Sequence, residues 1–106
     1  MAELLSWVKS ENIRLKKHFG EVDPEKMATY SRTIKLVEEV GELCNEVLAH
    51  KSMQRNEKLK NHNQESLEHE LADVIITTLI LAEEMNIDIE KALESKIEKI
   101  KSRVYI

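Results

Sequence analysis

A chain of 106 residues with two glycines and one proline has the length of a single domain, residues 1–106, built from long uninterrupted helices. A net charge of −4, with Lys and Arg dispersed among 20 acidic residues, argues against a nucleic-acid partner. No apolar run reaches the roughly 18 residues that span a bilayer, and one cysteine excludes an internal disulfide and fits a reducing cytoplasm. Glu3, Lys9 and Glu11 stand where a signal peptide needs a charge-free core.

The first helix is expected from residue 2 to about 18, with Leu4, Leu5, Val8 and Ile13 as a partial apolar stripe and Trp7 beside it. Gly20 suits the left-handed position that ends such a helix. Asp23 as N-cap and Pro24 as first helical residue open the second, which runs unbroken to about Lys51. There Leu36, Val40, Leu43 and Val47 form one apolar stripe, flanked by Val37, Cys44 and Leu48, so Cys44 reads as a packed core thiol. Glu38, Glu39, Glu42 and Glu46 occupy the opposite edge. At 100° per residue Glu39 lies about 40° from Leu43 and is able to face inward while its neighbours pack. Gly41 costs about 1 kcal/mol relative to Ala inside a helix; a close approach by another backbone or a bulky bound group would justify it.

Residues 53–63 are polar and aperiodic, a solvated loop carrying Arg55, Lys58 and Lys60. The third helix is expected from about Gln64 to Met85, ending near Asn86, with a charge-free run from Val74 to Ala82. Asp88 is the N-cap of a fourth helix reaching about Arg103. Its buried stripe is Ile89, Ala92, Leu93, Ile97, Ile100 and Val104, beside a basic row of Lys96, Lys99 and Arg103. Only four aromatic residues serve the core, and a helix as apolar as 74–82 asks for a second subunit to complete it.

Two short segments concentrate the chemistry. Glu39 and Glu42, and then Glu70 and Asp73, are pairs at spacing i, i+3, which stacks two carboxylates on one helix face. Facing helices would gather four carboxylates, and such a cluster persists only around a cation or with some groups protonated. Hard anionic oxygen ligands are those of Mg²⁺ and Mn²⁺. Paired acids also arise on solvated faces, but the second pair opens a helix that is otherwise apolar. Carboxylate-bound metal beside a basic row is equipment for phosphoryl transfer. No glycine-rich phosphate loop is present, and His18, His50, His62 and His69 have no zinc spacing.

The run Glu38-Glu39-Val40-Gly41-Glu42, followed by Glu70-Leu71-Ala72-Asp73, resembles the EExxE…ExxD pattern of the MazG-like nucleotide pyrophosphohydrolases of the all-α NTP pyrophosphatase superfamily. The likeness extends over roughly residues 30–104, through Leu43, the apolar run and the Lys/Arg-rich last helix. It implies an all-α, four-helix bundle-like fold with a core completed by dimerisation, as a homodimer or dimer of dimers. It also implies Mg²⁺-dependent hydrolysis of a nucleoside triphosphate, often a deoxynucleotide or damaged one, to monophosphate and pyrophosphate, in the manner of nucleotide-pool house-cleaning enzymes. By motif position Glu39, Glu42, Glu70 and Asp73 would ligate the metal, Glu38 would orient water, and Lys96, Lys99 and Arg103 would bind the triphosphate. The family's frequent Asn in the last region is not evident here. Trp7 and Tyr30 are candidates for stacking on a base or for packing in the core. A di-iron carboxylate bundle needs Glu-x-x-His, which no Glu of this chain provides. A non-catalytic helical interaction module with an acidic solvated face is the other reading, and a Mg²⁺ titration separates it from an enzyme.

Overall fold

A computed structural model describes residues 1–19, 24–51 and 64–103. They form four helices and, among the described residues, no strand: α1 (Ala2–Phe19), α2 (Pro24–Lys51), α3 (Gln64–Glu84) and α4 (Ile89–Lys101). The expected helices therefore all form, with ends shifted by a residue or two. Gly20, Asp23, the loop 53–63 and Val104 lie outside the described residues. None of the described helices is long and apolar enough to cross a membrane.

Helix α3 is the centre. It packs most extensively on α2 and next on α1, whereas α1 and α2 barely meet. Val8 of α1 with Leu79 and Ile80 of α3 forms the buried nucleus, and Leu5, Leu15, Ile76 and Ile89 pack around it. Ile13, expected in the α1 stripe, is instead exposed. The charge-free run of α3 is only partly interior: Thr77, Leu79, Ile80 and Ala82 are buried, while Ile75 is exposed, as is Leu71 one turn earlier.

The end of α3 is a left-handed cap. Asn86 has φ 57°, its N–H donates to Glu83 O at 3.2 Å, and the Ile87 N–H donates to Ala82 O at 2.9 Å. These two bonds satisfy carbonyls that the helix end would leave open. Two residues on, Asp88 is the N-cap of α4 as expected, accepting from the Lys91 N–H at 3.2 Å.

Two faces differ from expectation. On α2 the residues turned inward are Ala28, Arg32, Glu39, Glu46 and Ala49, with Leu36 and Leu43 half-buried. The predicted stripe is thus displaced: Val40 and Val47 are exposed, Val37 and Leu48 more so, and Cys44 is an exposed thiol rather than a core one. At 100° per residue the inward direction lies about 70° from the centre of the apolar stripe. Helix α2 has turned its acids toward α3 and part of its apolar surface outward. Gly41 is exposed as well, and a Cβ there would meet nothing within 4 Å, so no close approach explains it among the described residues. On α4 no residue is buried; Leu93, Ile97 and Ile100 are all exposed, because only Ile89 at its start reaches the core.

Candidate metal centre

The inward turn of α2 and the first turns of α3 bring acids from the two helices together. One carboxylate oxygen each from Glu39, Glu70 and Asp73 lies within 4.8 Å of the others. Glu39 is buried, Glu70 half-buried and Asp73 exposed, so the cluster opens from the core toward solvent. Oε2 of Glu39 and Oε2 of Glu70 are buried and have no hydrogen-bond partner among the described residues. Buried carboxylate oxygens without partners are costly. A divalent cation that prefers hard oxygen ligands fits this donor set and would satisfy both orphaned atoms.

Electrostatics carry the same signature. Burial, and then the charges of Glu42, Asp73 and Glu39, push the Glu70 carboxyl above the ordinary glutamate value. Glu42 stands one turn beyond Glu39, exposed and close enough to Glu70 to contribute to that shift, but outside the tight three-oxygen group. Glu38 is exposed and lies outside the three-oxygen group. Its Oε2 lies 3.6 Å from Lys35 Nζ, which also lies 3.2 Å from Glu39 Oε1. The Glu39 hydrogen bond and charge, followed by the charges of Glu38 and Glu42, raise the Lys35 ammonium's pKa against a smaller opposing effect of burial.

Beside the carboxylates a cleft of about 520 Å³ runs between the three packed helices. Arg32, Lys35 and Glu39 of α2 form one wall, Asp73, Thr77 and Ile80 of α3 the other, and Leu15 of α1 closes it. Charged side chains stand at both ends, Glu39 and Asp73 at one and Arg32 at the other, with Leu15, Thr77 and Ile80 along the wall, and the volume is in the size range of a small-ligand pocket. Arg32, Lys35 and Leu15 were not singled out by sequence motifs. The signal for the first two was present: Arg32 lies seven and Lys35 four residues before Glu39, the spacings that share a helix face.

The other sequence candidates lie elsewhere. Lys96 and Lys99 on α4, and Arg103 just beyond it, are exposed, and α4 reaches the core only through Ile89 at its start, without extensive packing on the helices bearing the carboxylates. Within one chain the basic row is not brought to the acids. Trp7 is half-exposed on α1, and Tyr30 is likewise exposed on α2; neither is among the described residues lining the cleft.

A model of the MazG-like family matches residues 31–106, nearly three-quarters of the sequence and both acidic segments. The chain belongs to the MazG-like family. Comparison with curated proteins and with solved structures gives no match. Membership agrees with the all-helical architecture and points to chemistry of the nucleotide pyrophosphohydrolase kind, in a family that is generally metal-dependent.

Proposed function

We propose that this MazG-like protein is a Mg²⁺- or Mn²⁺-dependent nucleoside triphosphate pyrophosphohydrolase, producing the monophosphate and pyrophosphate. The observation that carries the reading is the group of three carboxylate oxygens from α2 and α3 within 4.8 Å, two of its acids each keeping a buried, unpartnered oxygen. Glu39, Glu70 and Asp73 hold the cation, and Glu42, at the edge of the group, completes the set. When bound, the metal polarises phosphate oxygens and activates water. Water oxygen attacks one phosphorus of the α–β bridge, that bridging P–O bond breaks, and one proton leaves the water. Glu38, exposed next to the ligand Glu39, orients the water and passes its proton to solvent. Lys35 neutralises phosphate charge beside the carboxylates, and the stretch of cleft lined by Leu15, Thr77 and Ile80 takes the nucleoside.

The same reading includes a second copy of the chain. A compact monomer of this mass exposes about 6,100 Å², whereas the surface here is 8468 Å². Val37, Val40, Val47 and Leu48 on α2, Leu71 and Ile75 on α3, and Leu93, Ile97 and Ile100 on α4 are exposed apolar side chains. A two-fold dimer or dimer of dimers would cover these faces and offer a route for Lys96, Lys99 and Arg103 to reach a neighbour's carboxylates.

The test is a panel of ribo- and deoxynucleoside triphosphates incubated with Mg²⁺, with pyrophosphate measured as product and solvent ¹⁸O traced into it or the monophosphate. Pyrophosphate release that EDTA and Glu39→Gln both abolish is the expected outcome. Release of orthophosphate alone, or turnover unaffected by EDTA, overturns the assignment.

A further inference from the structure

Arg32 is the only buried Lys or Arg among the described residues. Its Nε and Nη2 both donate to Asn12 Oδ1, at 3.2 and 2.9 Å. Asn12 Nδ2 donates in turn to Glu84 Oε2 at 2.8 Å, and Lys16 Nζ lies 2.9 Å from the same oxygen. Asn12 thus holds the guanidinium directly and is itself held by Glu84, with Lys16 on the same carboxylate, a network that joins Arg32 of α2 to α1 and α3. The group that it touches is a neutral amide oxygen, and the carboxylates of Glu84 and Glu11 offset the cost of its burial only from a distance. No hydrogen bond among the described residues uses Nη1, and Arg32 lines the cleft that holds Glu39 and Asp73. A buried guanidinium tied only to an amide destabilises the fold unless something completes its hydrogen bonds.

Position identifies what completes them. Arg32 and Glu39 share the inner face of α2 seven residues apart, about 10 Å along the axis. That is the scale of the reach from a nucleotide's α-phosphate to the far edge of its base. Between the two ends the wall is Leu15, Thr77 and Ile80, suited to a planar ring rather than to further phosphates. A fixed guanidinium only donates, so the ligand edge that it meets must accept. Adenine alone of the common bases has no carbonyl oxygen, and its ring acceptors N1 and N7 each sit beside the N6 amino donor, which opposes a guanidinium.

We propose that Arg32 is a base-reading residue: held by Asn12, it donates to a nucleobase carbonyl and selects uracil, thymine, cytosine or guanine nucleotides over adenine nucleotides. This inference rests on the cleft being a nucleotide site, and it adds the residue that sets base preference. Asn12 acts through Arg32 as a positioning residue.

The experiment compares dATP with dCTP, dUTP and dGTP as substrates, and separately the binding of the four monophosphates by calorimetry. Unsubstituted protein, Arg32→Met, Arg32→Lys and Asn12→Ala are tested, each checked for folding by circular dichroism. The unsubstituted protein should favour carbonyl-bearing bases by about tenfold or more, the scale set by one unmade buried hydrogen bond. Arg32→Met should bring that ratio to within about threefold, with the loss in KM and monophosphate affinity. Arg32→Lys, which keeps charge and stem but not the planar fork, should lose most of the preference and serves as the probe if the Met variant does not fold. Asn12→Ala should lower the ratio part-way. A folded Arg32 variant with unchanged base preference overturns the proposal. So does a loss equal for all bases and confined to triphosphates, which would assign Arg32 to the terminal phosphate. Failure of the unsubstituted protein to hydrolyse any triphosphate refutes the pyrophosphohydrolase reading instead, and the monophosphate arm still reports on Arg32.

Discussion

Asp73→Asn removes one charge from the carboxylate group with almost no change in shape. The three donor oxygens lie within 4.8 Å of one another. At that separation two ionised carboxylates repel by about 3.5 kcal/mol for an effective dielectric near 20. Asp73 belongs to two of the three pairs, which gives an upper figure of about 7 kcal/mol. Two features reduce it. Asp73 is exposed, so water screens its charge, and the raised pKa of Glu70 makes proton uptake there easier, which lessens the repulsion left for the substitution to remove. A net gain of about 1–2 kcal/mol remains, or roughly 5–10 °C in melting temperature for a domain this small. Metal reverses the order by favouring the wild type. A cation that binds only the folded wild type stabilises it by about 2.7 kcal/mol at a hundredfold excess over its Kd, a rise of roughly 10 °C or more. Asp73→Asn, short of one ligand, should respond far less and should be inactive. The assay is a thermal melt of both proteins by circular dichroism in EDTA and in millimolar Mg²⁺. Equal Mg²⁺ shifts in the two proteins, no shift in wild type, or a variant less stable than wild type in EDTA would refute the idea of one shared site.

Glu70 makes a pH prediction. Its raised pKa means that the folded protein binds this proton more tightly than the unfolded chain, so metal-free stability falls as pH rises from the ordinary value of 4.5 through the raised one. Glu70→Gln should be the more stable protein above that window and should flatten the dependence, measured as urea midpoints between roughly pH 5 and pH 8 in EDTA. Glu11, held below its ordinary value by its hydrogen bond to Arg14, has the opposite sign but titrates below 4.5, outside the window. Ile97→Asp places a charge in the exposed stripe of α4; sedimentation should show an oligomer for wild type and a smaller species for the variant, and a wild-type monomer at micromolar concentration counts against the second copy. Arg103→Ala should raise KM for triphosphate while leaving the Mg²⁺-induced melting shift intact; unchanged kcat/KM would return the basic row to ordinary surface.

Local chemistry made the helices legible in the sequence. Few glycines, one proline, the Asp88 cap and the stop near Asn86 act over one or two turns, and the structure reproduces them. The acidic pairs were legible for the same reason, since spacing i, i+3 defines a helix face whatever packs on it. Periodicity does not say which of two usable faces turns inward. The apolar stripe of α2 and the face that turns inward lie about 70° apart at 100° per residue, and packing against α3 turned Glu39 and Glu46 in and left Val37, Cys44 and Leu48 out. The same ambiguity left the α4 stripe exposed, because an amphipathic helix records that it needs a partner but not which one. Arg32 shows the limit most clearly. It is buried through Asn12, 20 positions away, and Asn12 is held by Glu84, 72 positions further along the chain. A hydrogen bond between side chains so distant in sequence leaves no local pattern, since it depends on how three helices are placed. The chain by itself thus determined four helices and two acidic faces. Tertiary packing decided that the acids meet each other and that a buried guanidinium lines the cleft they open.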